Sequence, residues 1–324
     1  MRYTRLGATD LDVSRVCFGT WQFGGDWGGI EKDEAAGAVR RARELGINIF
    51  DTAQAYGWGA SERLLGEALR DDIQHRRDEV ILATKGGVRS DGGQRLRDSS
   101  EAWLRQGLEE SLRNLGVDHI DIYQVHWPDQ KVPIEETAGV LDTFVHEGKI
   151  RYAGVSNYSV EQMEAFERRR KLDTLQPPYH LFRRDIERDV LPWCREHGVG
   201  VLAYGPLAHG LLAGRYDEDT TFPDNDWRSK SALFRGEAFR QNLETVRALG
   251  QVADELEITV AQLAIAWTLA NPAVHTAIVG ARSPDQIEQT APAADVELSE
   301  DDLDRIENIM AGAVAVSGPS PESV

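Results

Sequence analysis

The sequence predicts a closed (β/α)₈ barrel, and three observations carry that prediction. Short apolar runs alternate with amphipathic helical stretches along nearly the whole chain. The runs lack the alternation of a sheet with one wet face, so they suit parallel strands buried on both faces. Eight such strand–helix units fit into 324 residues, a length that suits one barrel of this kind. The runner-up is an open, doubly wound sheet. It is weakened because no G-x-G-x-x-G stands at the first βα turn.

The elements follow in order. Residues 1–14 read as a hairpin, "RYTRLG", "ATD", "LDVSRV", placed to close the barrel bottom. "VCFG" (16–19) is the first barrel strand and 33–46 its helix. "INIFD" (47–51) precedes helix 61–70, and "EVILATK" (79–85) precedes helix 99–115. "IDIYQVH" (120–126), "RYAGVS" (151–156) and "LDTLQ" (172–176) lead into helices 134–147, 159–169 and 186–197. "GVGVLAY" (198–204) is followed by helices 242–256 and 260–270, and "HTAIVG" (275–280) by helix 284–293. The charged, irregular segment 212–237 reads as a mobile loop folding over a site. Residues 1–312 form a single domain on this reading, and 313–324 a disordered tail.

Composition removes several classes of function. A net charge of −18 disfavours nucleic acid and anionic membranes as partners and favours a monomer. No apolar run is long enough for a membrane helix, and the start has no signal-peptide pattern, so a cytoplasmic location is expected. The only cysteines, Cys17 and Cys194, exclude a disulfide framework. The eight histidines show no metal-binding spacing, so no metal is expected.

Polar residues end the apolar runs: Asp51, Lys85, His126, Ser156 with Asn157, Gln176, Tyr204, and Gly280 followed by Arg282. In a (β/α)₈ barrel these ends share the face where active sites form. Each has an ordinary alternative. Asp51 can cap a turn, His126 can be a hydrogen-bonded core residue, Tyr56 can pack, and Ser156 and Asn157 can cap a helix. Those alternatives need independent accidents at successive strand ends, whereas one shared site needs none.

The chemistry of that site is proton donation. A phenol has a reference pKa of about 10, and a nearby ammonium lowers it. Asp51 would hold Lys85 charged, Lys85 would acidify Tyr56, and Tyr56 would protonate a developing alkoxide. His126 would orient the carbonyl oxygen. Hydride must come from a nicotinamide, since no side chain carries it. Ser156, Asn157 and Gln176 are candidates for the carboxamide, and Tyr204 for stacking on the ring. "IVGARSPDQIEQ" (278–289) sets Gly280, Arg282 and Ser283 before a helix N-terminus, a phosphate site in which Arg282 favours NADP over NAD.

These segments resemble the aldo-keto reductase superfamily over nearly the whole chain. "FDTAQAYGWGASE" is similar to its F-D-T-A-x-x-Y-G-x-x-x-S-E signature, "DIYQVHWPD" to its histidine strand and "GVSNYS" to its carboxamide-binding strand. "YGPLAHGLLAGRY" and "VGARSPDQIEQ" resemble its Y-x-P-L-x-x-G-x-L-x-G and 2′-phosphate motifs. The nearest likeness is to bacterial general-stress or inositol-related members and to potassium-channel β subunits. The resemblance implies a barrel with NADPH across its top and a tetrad of Asp51, Tyr56, Lys85 and His126. As cofactor contacts it implies Gly19, Thr20, Trp21, Asp51, Ser156, Asn157 and Gln176 from the earlier strands. It also implies Tyr204, Gly205, Pro206, Leu207, Gly280, Arg282, Ser283 and Gln286 from the later ones. The sequence departs from the family at His180, in "QPPYH" where many members have Y-N, and near Gln289.

Trp21, Trp27, Trp58, Trp127 and Trp227 fall in loops after strands. Trp21, Tyr56, Trp58, His126 and Trp127 are the expected substrate contacts, an aromatic mouth for a small carbonyl compound. Three functions stay open. They are an NADPH-dependent carbonyl reductase, a sugar or polyol dehydrogenase using NADP or NAD, and a nucleotide-sensing subunit with slow turnover.

Overall fold

A computed structural model describes residues 1–25, 31–223 and 226–316. Its centre is a closed barrel of eight parallel strands in sequence order. They are β1 (Val16–Gly19), β2 (Ile49–Asp51), β3 (Ile81–Gly86), β4 (Ile120–Val125), β5 (Ile150–Ser156), β6 (Thr174–Gln176), β7 (Gly200–Tyr204) and β8 (Thr276–Gly280). β8 pairs with β1, which closes the ring.

Side chains alternate between the two faces of each strand. One set, including Phe18, Phe50, Leu82, Val125 and Val279, packs outward in the large core beneath the helices. The other set points into the barrel, where Cys17, Ile49, Ile81, Ile122, Leu202 and Ile278 form a separate cluster. The expected N-terminal hairpin is present (Tyr3–Arg5 with Asp12–Ser14), and its Leu6, Leu11 and Val13 join the inner cluster. Leu6 fits because Gly200 opens β7: a Cβ at Gly200 would come 2.6 Å from Leu6 Cγ. The hairpin therefore closes the end of the barrel where the strands begin.

Several elements differ from the sequence reading. An antiparallel hairpin, Val88–Asp91 with Gln94–Arg97, follows β3, and a helix spans Glu300–Met310. Neither was anticipated. The long helix starts at Gly236, six residues before the expected 242. The tail was expected to begin at 313, but residues 313–316 are held. Val314 exchanges hydrogen bonds with Asn242, and Val316 N donates to Phe182 O at 2.7 Å. Residues 317–324 of the expected tail, and Trp27, lie outside the described residues. No helix among the described residues is long and apolar enough to cross a membrane.

Candidate active site

The inward positions near the strand ends are polar: Asp51 stands two residues beyond apolar Ile49, Gln124 two beyond apolar Ile122, and Gln176 two beyond Thr174. Lys85 is 0% exposed. Its ammonium donates to Asp51 Oδ2 at 2.6 Å, to the Thr52 carbonyl at 2.9 Å and to Tyr56 Oη at 3.5 Å. The second Asp51 oxygen accepts from Gln176 Nε2 at 2.7 Å. A buried ammonium is tolerated only with such partners. Three of the four expected tetrad residues thus meet through one nitrogen.

The loop carrying Tyr56 is fixed from several sides. Thr52 N donates to Ala83 O and Gln54 N to Lys85 O, so the chain leaves β2 hugging β3. Ser61 Oγ reaches Thr20 Oγ1 at 2.7 Å and Thr52 Oγ1 at 3.0 Å, and Thr20 Oγ1 donates to the Asp51 carbonyl. Glu62 is buried and accepts from Thr84 and Asn114. Burial raises its carboxyl above the usual range. Gly24 lets the turn after β1 lie on this loop, since a Cβ there would stand 2.8 Å from Gly57 N.

His126 follows β4, with its ring edge-on to Tyr56 at 5.7 Å. Burial, then the Lys85 charge, pushes the imidazole well below its ordinary pKa. It is therefore neutral at physiological pH, able to share a hydrogen bond but carrying no charge. Burial and then Asp51 raise the thiol of Cys17 beneath, so no thiolate competes here.

A cavity of about 460 Å³ opens over this cluster. Asp51, Tyr56, Gln176, Gly19, Thr20, Trp21 and Tyr204 line it, as do Gly205, Pro206, Leu207, Gly280, Arg282 and Gln286. Most expected cofactor contacts are thus on one surface. Ser156, Asn157 and Ser283 are not on it. Ser156 Oγ donates to the Gln176 carbonyl at 2.8 Å. Asn157, at a left-handed φ of 64°, donates to the His126 carbonyl and to Ser156 Oγ. Its oxygen accepts from the Tyr204 hydroxyl at 2.9 Å. Among the expected substrate contacts, Trp21 and Tyr56 line the cavity, and His126 is buried beside Tyr56 without lining it. Trp58 does not line it either; it is 43% exposed and sits in a run of left-handed residues, Gly57–Trp58–Gly59. Trp127 is buried, stacked on His126 on one side and facing Arg97.

Sequence reasoning missed several lining residues. Gln22 lies over Gly280, where a Cβ would meet its Nε2 at 2.1 Å. His209 lines the cavity because Ala208, His209 and Gly210 all adopt positive φ. Arg215 and Arg228 come from the segment expected to fold over the site. Arg228 is gripped by Asp226 and donates to the Tyr216 hydroxyl at 2.8 Å. Glycines at 210 and 214 hinted at the turn; a left-handed histidine left no signal. His180 is buried beside His209, ring centroids 6.3 Å apart. Burial lowers both imidazoles, His209 to about 3.

The wall offers flat aromatics and a polar cluster near Tyr56, and guanidinium groups at Arg215, Arg228 and Arg282. The space a Cβ would take at Gly205 holds no protein atom within 4 Å. These residues fit an elongated molecule with a ring at one end and phosphates further along, as a nicotinamide dinucleotide has.

Residues 15–311 match the model of the aldo/keto reductase family. The aldo-keto reductase YhdN of Bacillus subtilis is 39% identical over 317 residues, 97% of this chain and 95% of that protein. An NADH-specific methylglyoxal reductase of Escherichia coli is 31% identical, covering 93% of this chain and 96% of its own length. The solved structure of a glycerol dehydrogenase from Gluconobacter oxydans superposes with a TM-score of 0.90 at 38% identity, covering 99% of this chain and 98% of that one.

Proposed function

The chain belongs to the aldo/keto reductase family, and from that premise we propose that it reduces aldehydes or ketones with NADPH, Tyr56 giving the proton. The observation that carries the reading is the buried Lys85 ammonium, 2.6 Å from Asp51 and 3.5 Å from Tyr56 Oη. A bound reduced nicotinamide supplies hydride to the carbonyl carbon. The protein's part is the proton and the geometry. Tyr56 Oη protonates the carbonyl oxygen as negative charge develops there. Lys85, held charged by Asp51, stabilises the phenolate left behind. The neutral His126 ring orients the carbonyl oxygen beside Tyr56. The burial of all four side chains strengthens each interaction by keeping water away.

Arg282 supports NADPH over NADH, because a guanidinium pairs well with the extra 2′-phosphate. The E. coli relative is NADH-specific, so the preference is a property of each member's own residues. On the same reading the protein is a cytoplasmic monomer with a single catalytic domain over residues 1–312, acting on small carbonyl compounds.

A second reading is oxidation of a polyol by the same site run backward, supported by the similarity to a glycerol dehydrogenase. Both are tested by following NADPH loss with a panel of aldehydes and NADP⁺ reduction with a panel of polyols, for wild type and Tyr56→Phe. Turnover that collapses in the variant while cofactor still binds supports the assignment of Tyr56. Wild-type protein that binds NADPH tightly and turns over neither panel contradicts it.

A further inference from the structure

Gln124 has no place in the chemistry above, yet it is completely buried inside the barrel. It faces Lys85 on β3 and Gly154 on β5 in strand register. A core position at this depth is normally apolar, as Ile122 is two residues earlier. Gly154 explains how Gln124 crosses to β6. A Cβ at 154 would stand 2.9 Å from Gln124 Cγ and 2.1 Å from Thr174 Oγ1. The missing side chain is the passage through which Gln124 reaches the next strand but one.

There it makes two bonds of opposite sense. Its Nε2 donates to Thr174 Oγ1 at 3.3 Å, and its Oε1 accepts from Gln176 Nε2 at 2.9 Å. The same Gln176 nitrogen donates to Asp51 Oδ1 at 2.7 Å. An amide has a donor end and an acceptor end. The Asp51 carboxylate only accepts, so Gln176 turns its nitrogen to Asp51 and to Gln124, and Gln124 meets that nitrogen with oxygen and leaves its own nitrogen for the Thr174 hydroxyl. Turned round, two amino groups would oppose each other in a dry interior, an expensive arrangement. Gln176 is thus locked with its nitrogen shared between Asp51 and Gln124.

We propose that Gln124 is a positioning residue: acting through Gln176, it fixes the Asp51 carboxylate and so the Lys85 ammonium beside Tyr56. This rests on the reading of Tyr56 as proton donor. The ladder runs Thr174, Gln124, Gln176, Asp51, Lys85, Tyr56, and each member is hydrogen-bonded to the next. Reacting atoms never touch Gln124.

The test is a double-mutant cycle on kcat with the best carbonyl substrate, using Gln124→Met, Gln176→Met and the pair. Gln124→Met lowers kcat about tenfold, with KM for the carbonyl and Kd for NADPH within about threefold of wild type. The double variant is no slower than Gln176→Met alone, because one acts through the other. Multiplying effects, or a kcat for Gln124→Met within about twofold of wild type, overturn the proposal. A purely structural role would lower the melting temperature and leave this kcat–KM split untouched. Thr174→Val releases the ladder at its far end and serves if Gln124→Met does not fold; it lowers kcat about threefold, and an unchanged kcat there overturns the proposal. Should wild type turn over no carbonyl and no polyol, the functional reading fails. The ladder is then judged by crystal structures of Thr174→Val and Gln124→Met. Loss of the Gln176–Asp51 contact supports it, and a retained contact overturns it.

Discussion

The two ends of the barrel are made from the same strands and filled in opposite ways. At the closed end, Leu6, Leu11 and Val13 of the hairpin meet Cys17, Ile49, Ile81 and Ile122, all apolar. Two residues further along these strands stand Gly19, Asp51 and Gln124, with Lys85 and Gln176 beside them. The closed end needs no partners beyond contact, since dispersion and burial hold it. The open end buries a carboxylate, an ammonium and two amides at the floor of the cavity. It is stable because these groups hydrogen-bond to one another across the barrel. The barrel thus separates stability from chemistry by one step of the strand period.

That separation can be broken most forcefully at Tyr56. Tyr56→Phe should lower kcat by about 10²- to 10⁴-fold, while NADPH affinity and the melting temperature stay near wild type. Fluorescence titration and a thermal melt check both. The converse variant at the closed end is Leu6→Ala. It should cost about 2–5 kcal/mol of stability in denaturant titration, with kcat at 25 °C unchanged. A Leu6→Ala protein that is stable and slow would undo the comparison.

A third variant sharpens the division within the open end itself. Arg282→Ala should weaken NADPH binding about 10- to 100-fold and NADH binding hardly at all, read by calorimetry with each cofactor. The smallest effect is on pH dependence. His126, His180 and His209 are held neutral by burial, with folded pKa values below the unfolded value of about 6.5. Their full contribution to stability is therefore present above pH 6.5 and is lost as the pH falls below it. Each contributes a slope of at most about 1.4 kcal/mol per pH unit. Glu62 and Asp173, whose carboxyls burial raises, offset part of this at the acid end. Melting curves of His180→Asn/His209→Asn between pH 7 and 5 should show a flatter decline than wild type.

The barrel was legible because buried parallel strands write continuous apolar runs, and the polar residue closing each run marks the strand's end. Asp51, Lys85 and His126 were found that way, and Tyr56 by its distance from Asp51. The hairpin at 88–97 was overlooked because "VRSDGGQRLR" has few apolar residues, although Asp91-Gly92-Gly93 is a turn signal. The helix at 300–310 was missed despite a readable cap, Ser299 with Asp302. Gln22, His209 and Arg228 were beyond reach, because contacts between distant loops place them. Trp58 shows the same limit from the other side. Its position after a strand suggested the cavity, but its left-handed backbone turns the loop so that the ring is exposed. Gln124 was written in plain view within "IDIYQVH", and only its partners on β6 reveal why it is not a leucine.

Direct hydride transfer assisted by Tyr56 is the central claim, and isotope tracing tests it most directly. Wild type and Tyr56→Phe would each be given NADPH carrying deuterium at both C4 positions and the best aldehyde of the panel, and the alcohol analysed by mass spectrometry. The account predicts one deuterium on the former carbonyl carbon with wild type, and almost no alcohol with Tyr56→Phe despite bound cofactor. Alcohol without deuterium, or labelled alcohol formed equally fast by Tyr56→Phe, would contradict it.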